Sequence, residues 1–325
     1  MKHDMKRMWL ALLGLMAIAP LALGQANDFP NKPVKVIVPY TAGSGSDTSA
    51  RFFGEKLAAI LGQPFVVENR PGASGVISVM AVKAALADGY TILLASNSPL
   101  SVNPVVIKNL PYDPVKDLKP LSGLVRTMNV IVVVADSKFT TLADLVAAAK
   151  KDKAPLNAGT YSAGYYLALA RFANAAGVKF TNVPYTGGAQ VFTDVMGKQL
   201  DFGVVDLGGV APLLKSRKLR ALAVSGENRS PDFPDVPTIR ESGYPDYVNY
   251  SWISFCVRSE TPVDVSAKLT DALQKVLATN EARDFVKKIG GGELMLYAPA
   301  AMQKYQRDEL DRFRRIAEVA GIKPE

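Results

Sequence analysis

A loop of small residues follows an apolar run near residue 34 and has the composition of an anion-binding loop. The run is Val34 to Val38, and the loop after it ends at Asp47. Small side chains let backbone N–H groups approach a negative charge, and the start of a helix adds partial positive charge. Open α/β sheets bind ligands at the carboxyl ends of their strands. We expect an anion here, although Asp47 is alternatively a helix N-cap. The candidate residues are Tyr40, Thr41, Ala42, Gly43, Ser44, Gly45, Ser46 and Asp47.

Two other interpretations compete for this part of the chain. Gly43-x-Gly45 after a strand, with Glu68 at the end of the next strand, is similar to a dinucleotide-binding fingerprint. The fingerprint fails because Thr48 stands where it needs glycine or alanine. The following loop carries Arg70, which either holds an anion or belongs to an ordinary turn.

The first 24 residues have the three parts of a secretory signal. Basic residues precede an apolar run from Met8 to Leu23, and Ala22 and Gly24 are the small residues that a signal peptidase needs. The run contains Pro20 and is short for a bilayer span of ~20 residues, which disfavours a retained anchor. We expect cleavage between Gly24 and Gln25, and a soluble periplasmic protein.

Composition excludes several classes of function. The only histidine, His3, lies in the signal, and Cys256 is the only cysteine. The mature chain therefore has no residues for a Ser-His-Asp triad, a Cys-His dyad, a His-ligated zinc ion or an internal disulfide. The formal net charge is +8, but the basic residues are scattered and no nucleic-acid-binding motif is present. We expect no metal, no cofactor and no nucleic acid partner.

These residues must be positioned by the elements around them. From Lys32 onward, short apolar runs alternate with amphipathic stretches, as in an α/β fold with a parallel sheet and crossover helices. One helix is predicted to begin at Asp47 and to end before Gly62. A second is predicted to start at a capping box of Thr141 and Asp144, and a third to begin at Pro262. Predicted strands are Val34–Val38, Phe65–Glu68, Thr91–Ala95, Asn129–Val134, Leu156–Gly159, Phe180–Val183, Leu200–Val205, Leu219–Val224 and Tyr247–Val257.

The order of these elements predicts two domains. A proline-rich connection is expected from Pro104 to Pro120, and the loop from Ser230 to Pro245 marks a boundary. The terminal helices have no strands of their own to cover, so we expect them to pack back on the first sheet. Lobe 1 would comprise residues 25–126 plus 247–325, and lobe 2 residues 127–246. Two chain crossings would form a hinge beside a ligand cleft.

Seven motifs occur in one order along the chain. They are Val38-Pro39-Tyr40 with Gly43 and Asp47, Val66 to Gly75, Asp88 to Thr91, Leu110 to Pro114 with Lys116-Asp117, Val183-Pro184-Tyr185 with Gly187, Lys218 to Val224, and Pro234 to Thr238. Together they resemble the Bug-type substrate-binding proteins of tripartite tricarboxylate transporters over essentially the whole mature chain. The resemblance implies a type II periplasmic binding fold, with two α/β lobes joined by a two-segment hinge. It also implies a monomer that closes on a small carboxylate and delivers it, unchanged, to a membrane permease.

The resemblance implies one ligand-binding loop in each lobe, with backbone N–H groups and waters holding the carboxylate. The first loop maps to Tyr40 through Asp47, with Ser96 and Asn97 as neighbours. The second lobe contributes Tyr161, Ser162, Ala163, Gly164, Tyr165, Gly187, Gly188 and Asp206. The second loop departs from the family pattern because it is shorter and lacks a histidine. Tyr161, Tyr165 and Tyr166 stand there and either pack against the neighbouring helix or favour a flat aromatic carboxylate. Asp206 acts through a hydrogen bond or water, or is a helix N-cap.

Three classes of function remain after the sequence is considered. A transport binding protein and a sensory adaptor for a membrane kinase both use ligand-driven closure, so the sequence does not separate them. A secreted hydrolase or isomerase would use Ser44, Ser46, Ser162 or Asp47, but no nucleophile-elbow pattern is present. Aliphatic dicarboxylates, citrate-like acids, aromatic carboxylates and amino acids all remain open as ligands.

Overall fold

Strands and helices alternate along most of the chain, as the hydrophobic pattern predicts. The strands are β1 Val34–Val38, β2 Phe65–Asn69, β3 Thr91–Ser96, β4 Leu118–Val134, β5 Leu156–Thr160, β6 Phe180–Pro184, β7 Phe202–Asp206, β8 Leu219–Val224, β9 Tyr250–Arg258 and β10 Glu293–Leu294. The helices are α1 Gly45–Leu61, α2 Val76–Ala84, α3 Asn103–Val106, α4 Leu142–Lys151, α5 Ala163–Ala176, α6 Gly188–Met196, α7 Leu207–Lys215, α8 Val263–Leu277, α9 Asn280–Lys288 and α10 Pro299–Val319. A 3-10 turn, Ala73–Gly75, precedes α2, and a π-helical segment, Ser98–Val102, runs into α3.

The computed structural model describes residues 28–151, 154–289 and 292–324. The predicted signal segment and its cleavage site after Gly24 lie outside these ranges. No helix within them is long and apolar enough to cross a membrane.

The ten strands form one mixed sheet in the order β2-β1-β3-β9-β4-β7-β5-β6, with β8 and β10 also paired to β4. In what we call the first half, β1 runs parallel to β2 and β3, and β9 runs antiparallel to β3 and to residues 118–128 of β4. In the second half, β5 runs parallel to β6 and β7, and residues 129–134 of β4 run antiparallel to β7 and β8. The α/β prediction is confirmed, while the sheet is mixed because β4 and β9 run against their neighbours.

Strand β4 connects the two halves, and sequence analysis predicted only its last third. Residues 118–120 belong to the proline-rich connection expected from the sequence, and Pro120 and Gly123 are poor strand residues. Both lie where the register between β4 and β9 shifts. A bulge accepts a proline or a glycine without breaking the ladder further along. The predicted connection therefore contains the start of the strand that joins the two halves.

Helix ends follow their local signals closely. Gly62 ends α1 in the left-handed conformation, with φ of 74°. The predicted capping box at α4 is present, since Asp144 N donates to Thr141 Oγ1 at 3.1 Å and the Asp144 carboxylate accepts from Thr141 N at 2.9 Å. Pro262 is the residue before α8 and not its first residue.

Separate apolar clusters fill the two halves. In the first half, Val36 and Ile92 from the sheet pack with Leu269 and Leu273 from α8. Helix α8 thus packs on the first half of the sheet, whereas Phe313 of α10 packs with residues of both halves. A second cluster surrounds residues 130–133 of β4 and includes Tyr40, which reaches it from the first half. The two halves therefore meet at the end of β1, where the predicted loop begins.

Candidate functional site

The loop between β1 and α1 is braced by Asp47. Helix α1 begins two residues before Asp47 because Ser44 is its N-cap, accepting a hydrogen bond from Asp47 N at 3.2 Å. The Asp47 carboxylate accepts from Gly43 N and Asn69 Nδ2, both at 3.0 Å, and pairs with Arg51. Burial acts to raise the pKa of Asp47, but the hydrogen bonds from Arg51, Gly43 and Asn69 hold it below its usual value. The predicted helix start at Asp47 and its role as N-cap are therefore wrong.

Tyr40, Ser96 and Asn97 form the first wall of a cavity at the carboxyl ends of β1 and β3. The hydroxyls of Tyr40 and Ser96 lie 2.6 Å apart, and Ser98 N donates to Ser96 Oγ at 3.3 Å. The Asn97 side chain is only 3% exposed. Its Nδ2 group has no hydrogen-bond partner among the described residues, and the same holds for Thr41 Oγ1. A buried amide without an acceptor costs free energy, so this wall offers a donor to whatever enters the cavity.

Tyr161, Tyr165 and Asp206 form the opposite wall. Asp206 ends β7 and is the N-cap of α7, accepting from Gly209 N at 2.5 Å. The Tyr161 hydroxyl donates to the other carboxylate oxygen of Asp206 and lies 3.1 Å from the Tyr165 hydroxyl. Burial raises the pKa of Asp206 even though these groups donate to it. The N-cap interpretation of Asp206 is confirmed, and its side chain also faces the cavity.

The cavity between the two walls has a volume of about 50 Å³. Water occupies about 30 Å³ per molecule in the liquid, so the cavity has room for one or two waters. The predicted residues that line it are Tyr40, Gly45, Ser46, Ser96, Asn97, Tyr161, Ser162, Tyr165 and Asp206. The predicted residues that do not line it are Thr41, Ala42, Gly43, Ser44, Asp47, Ala163, Gly164, Gly187 and Gly188. Half of the candidates thus meet at one place, although they are dispersed in the sequence.

Two hydrogen bonds join the start of α5 to the first half of the sheet. Ala163 N donates to Ser74 Oγ at 3.1 Å, and Gly164 N donates to Ser98 Oγ at 3.0 Å. These are N–H groups of the first helical turn, which have no partner inside the helix. Serine hydroxyls from across the cleft therefore satisfy the donors that an anion would otherwise take.

Glycines allow the two halves to approach at either side of the cavity. A Cβ atom on Gly187 would lie 1.9 Å from Thr41 Oγ1, and one on Gly45 would lie 2.7 Å from Asp206 Oδ2. Both distances are too short for a real Cβ atom. Close approach, and not a left-handed backbone, is thus what requires glycine here, since Gly187 has an extended φ of −168°.

Two residues considered from the sequence lie away from the cavity. Tyr166 borders a separate surface pocket of about 190 Å³ that also involves Tyr185. Arg70 pairs with Glu68. Of the three neighbouring tyrosines, Tyr161 and Tyr165 therefore line the cavity, and Tyr166 does not.

Sequence analysis missed the part of the cavity that β4 and β9 supply. Val125 and Thr127 of β4 face it together with Ser251 and Ile253 of β9, which are their partners across the ladder. Alternation along a strand would have placed these residues on one face, had the first part of β4 been recognised. The remaining residues missed are Ser49, Gly208, Trp252 and Ile289.

The cavity wall is made of hydroxyl and amide groups, aromatic rings, aliphatic side chains and one carboxylate. Ser44 Oγ is engaged as a helix cap and the Asp47 carboxylate by the loop, so neither is paired as nucleophile and base. Among the residues that the structure describes, no three His, Cys, Asp or Glu side chains are placed to hold a metal ion. The arrangement is suited to binding a small polar molecule through hydrogen bonds.

Comparison with known proteins gives consistent matches along the chain. The model of the TctC family, described as the tripartite tricarboxylate transporter family receptor, matches residues 49–322. A protein of Bordetella bronchiseptica from the group named UPF0065 is 36% identical over 95% of this chain and 93% of its own length.

Two solved structures share the fold along nearly their whole length. The periplasmic binding protein BugD is 29% identical, with a TM-score of 0.87 over 91% of this chain and 100% of its own. The R. palustris protein Rpa4515, solved with adipate, is 30% identical, with a TM-score of 0.88 over 91% of this chain and 100% of its own. The predicted periplasmic binding fold is confirmed. The chain belongs to the TctC family of tripartite tricarboxylate transporter receptors, whose members are periplasmic solute-binding proteins.

Proposed function

We propose that the protein captures a small carboxylate in the cavity between the walls of Tyr40 and Tyr161 and delivers it to the membrane permease of a tripartite tricarboxylate transporter. The observation that carries the proposal is the buried Nδ2 group of Asn97, a residue that lines the cavity, because this group has no hydrogen-bond partner among the described residues. A carboxylate oxygen is the acceptor that this group lacks. The adipate held by the similar protein Rpa4515 supports the same class of ligand.

The first turn of α5 provides further donors. An anion near Ala163 N and Gly164 N gains from unsatisfied N–H groups and from the helix dipole. In the structure these donors are bound to Ser74 and Ser98. A carboxylate that replaces the two hydroxyls exchanges neutral hydrogen bonds for charge-assisted ones, which are about twice as strong.

Admission of a ligand requires the two halves to move apart. Small-molecule sites usually measure about 300–1,000 Å³, whereas this cavity measures about 50 Å³. We propose that lobe 1, residues 25–126 plus 247–325, and lobe 2, residues 127–246, rotate about β4 and β9 and close on the bound molecule. The length of the ligand then sets the degree of closure.

The tyrosine wall supplies selectivity for the rest of the ligand. Tyr40 and Tyr161 form an edge-to-face pair with ring centroids 5.5 Å apart, and Tyr161 and Tyr165 lie 4.5 Å apart. Aromatic rings pack well on flat apolar groups. We propose that the apolar part of the ligand contacts Tyr161 and Tyr165, and that an aromatic carboxylate is accepted there.

The remaining parts of the proposal concern export and partners. The signal segment would be removed between Gly24 and Gln25, and the mature protein would act as a monomer in the periplasm. The occupied roles of Ser44 and Asp47 support binding without chemical change of the ligand.

The test is a calorimetric and thermal-shift screen of purified residues 25–325. The ligands are aliphatic dicarboxylates, citrate, aromatic carboxylates and amino acids, each paired with its amide or alcohol analogue. A carboxylate at a hundred times its Kd should stabilise the protein by about 2.7 kcal/mol, while the neutral analogue should not. Stabilisation by neutral or cationic ligands alone, or turnover of the bound carboxylate, would contradict the proposal.

A further inference from the structure

A second and larger pocket opens on the reverse side of the β4–β9 ladder. Its volume is about 530 Å³, and its wall includes Arg126 of β4 and Tyr250 of β9. Side chains alternate between the two faces of a strand, and Arg126 lies between Val125 and Thr127, which face the small cavity. The two pockets therefore lie on opposite faces of the strands that connect the lobes.

Arginines from both halves of the fold converge on this pocket. Arg126 pairs with Glu293 at 2.6 Å, and Arg312 pairs with Glu309 at 2.6 Å. Arg171 of α5 and Arg315 of α10 also line the pocket. Neither has a carboxylate within ion-pairing distance in the part of the chain that the structure describes, so each retains an unneutralised charge.

Arg171 is held in place by the segment that enters β9. Its guanidinium donates to Val248 O at 2.6 Å and to Asp246 O at 2.7 Å, and it stacks over the Tyr247 ring at 4.7 Å. Burial lowers the pKa of Arg171 from its usual value, and the charge of Arg312 acts in the same direction. Two of its five N–H donors are used by these carbonyls, which leaves three in a fixed orientation. A guanidinium fixed in this way is preorganised for an anionic group.

The rest of the wall is apolar or aromatic. Val248, Ile316 and Val319 line the pocket with Tyr250, and Val319 is 76% exposed. The carboxylates of the wall are Glu227 and the paired Glu309. The pocket thus combines unneutralised guanidinium groups with an apolar surface large enough for an aromatic ring.

We propose that this pocket is a second binding site, distinct from the carboxylate cavity, for a small aromatic anion. Arg171 and Arg315 bind its anionic group, and Val248, Ile316 and Val319 contact its ring. Because Arg171 belongs to the second half and α10 packs against β4, the bound anion joins both lobes at the hinge. The proposal does not depend on which ligand occupies the carboxylate cavity.

The test uses phenyl phosphate as the probe with purified residues 25–325, monitored by calorimetry at low ionic strength. We expect saturable binding that weakens with added salt, because the arginines lie near the surface. Phenol, which is neutral, should not bind. Arg315→Ala and Arg171→Gln should each weaken binding about tenfold or more, since each removes hydrogen bonds between charged groups.

A matched control is the neighbouring Arg314→Ala, because Arg314 pairs with Asp311 and does not line the pocket. It should bind phenyl phosphate as the unmodified protein does. Asn97→Ala, which alters the carboxylate cavity, should also leave this binding unchanged. The proposal is overturned if the unmodified protein does not bind the probe, if Arg314→Ala weakens binding as much as Arg315→Ala, or if Asn97→Ala abolishes it. Melting temperatures near that of the unmodified protein establish that each variant is folded.

Discussion

Replacement of Gly187 by alanine should block closure of the lobes without disturbing the fold of either. Gly187 precedes α6 and meets Thr41 of the first loop across the cleft. Its φ of −168° is an extended conformation that alanine adopts freely, so the substitution adds no backbone strain. The added methyl group is therefore felt only when the two loops are in contact.

The expected size of the effect follows from the distances. The alanine Cβ would lie 1.9 Å from Thr41 Oγ1 and 3.0 Å from Thr41 Cβ, and ordinary contact starts at 3.4 Å. Rotation of the Thr41 side chain can move Oγ1 but not Cβ, so the loops must separate by at least about 0.4 Å. Forcing an extra methyl group into a packed contact costs about 1–3 kcal/mol. If the ligand binds the closed form, its affinity should fall by about 5- to 150-fold. With the lobes apart the methyl group meets nothing, so in the open form the unfolding free energy should change by less than about 0.5 kcal/mol.

Calorimetry with the tightest ligand of the carboxylate screen measures the affinity, and denaturant unfolding measures the stability. Thr41→Ala provides a matched background, because it removes the atom at 1.9 Å and leaves the Thr41 Cβ at 3.0 Å. The penalty of Gly187→Ala should be smaller there. Unchanged affinity would show that these loops do not meet in the bound form. An equal penalty in both backgrounds would refute the clash as its cause.

Three further predictions concern single side chains. Asn97→Ala should lower carboxylate affinity at least about tenfold with little change in melting temperature, because its Nδ2 group makes no hydrogen bond to any residue that the structure describes and is proposed to donate to the ligand. Calorimetry that finds equal affinity would exclude this group as a donor. Burial raises the pKa of Asp206, so binding of an anionic ligand should be accompanied by proton uptake at this carboxyl group. The affinity for the ligand should therefore fall, by at most about tenfold per pH unit, as the pH rises through the pKa of Asp206. Asp206→Asn should abolish that slope, and a slope that persists would assign it to another group. Burial raises the pKa of Cys256 to about 12, so a thiol reagent should react only on unfolding, and rapid labelling of the folded protein would contradict the buried position.

Local signals made much of the fold predictable. The end of α1 at Gly62 and the start of α4 at Thr141 depend on residues within one turn of the helix end, and both are confirmed. The start of α1 was misplaced although the signal was present, since Ser44 and Asp47 have the spacing of a capping box. The cap is Ser44, three residues before Asp47, and its side chain accepts a hydrogen bond from Asp47 N.

The first part of β4 was not predictable in the same way. Pro120 and Gly123 oppose a strand locally, and the pairing that overrides them comes from β9, more than a hundred residues later in the chain. The first loop could be predicted from the residues, because it follows the end of a strand. Ser96, Asn97 and the residues of the second lobe were expected only from the resemblance to the Bug-type proteins. Thr127 and Ser251 could not be predicted, because they face the cavity only once β4 and β9 are paired.

The orientation of the ligand follows from how the hydroxyl protons of the tyrosine wall are used. The Tyr161 hydroxyl has one proton, and both Asp206 and the Tyr165 hydroxyl, 3.1 Å away, lie within its reach as acceptors. The charged carboxylate is the stronger acceptor, so the proton of Tyr161 is used within this wall. The other carboxylate oxygen of Asp206 is bound to Gly209 N. This wall therefore has few donors left and one negative charge, while Asn97 on the opposite wall retains a free donor. We expect the charged end of the ligand to lie toward Asn97 and the start of α5, and its apolar end to lie against the tyrosine rings.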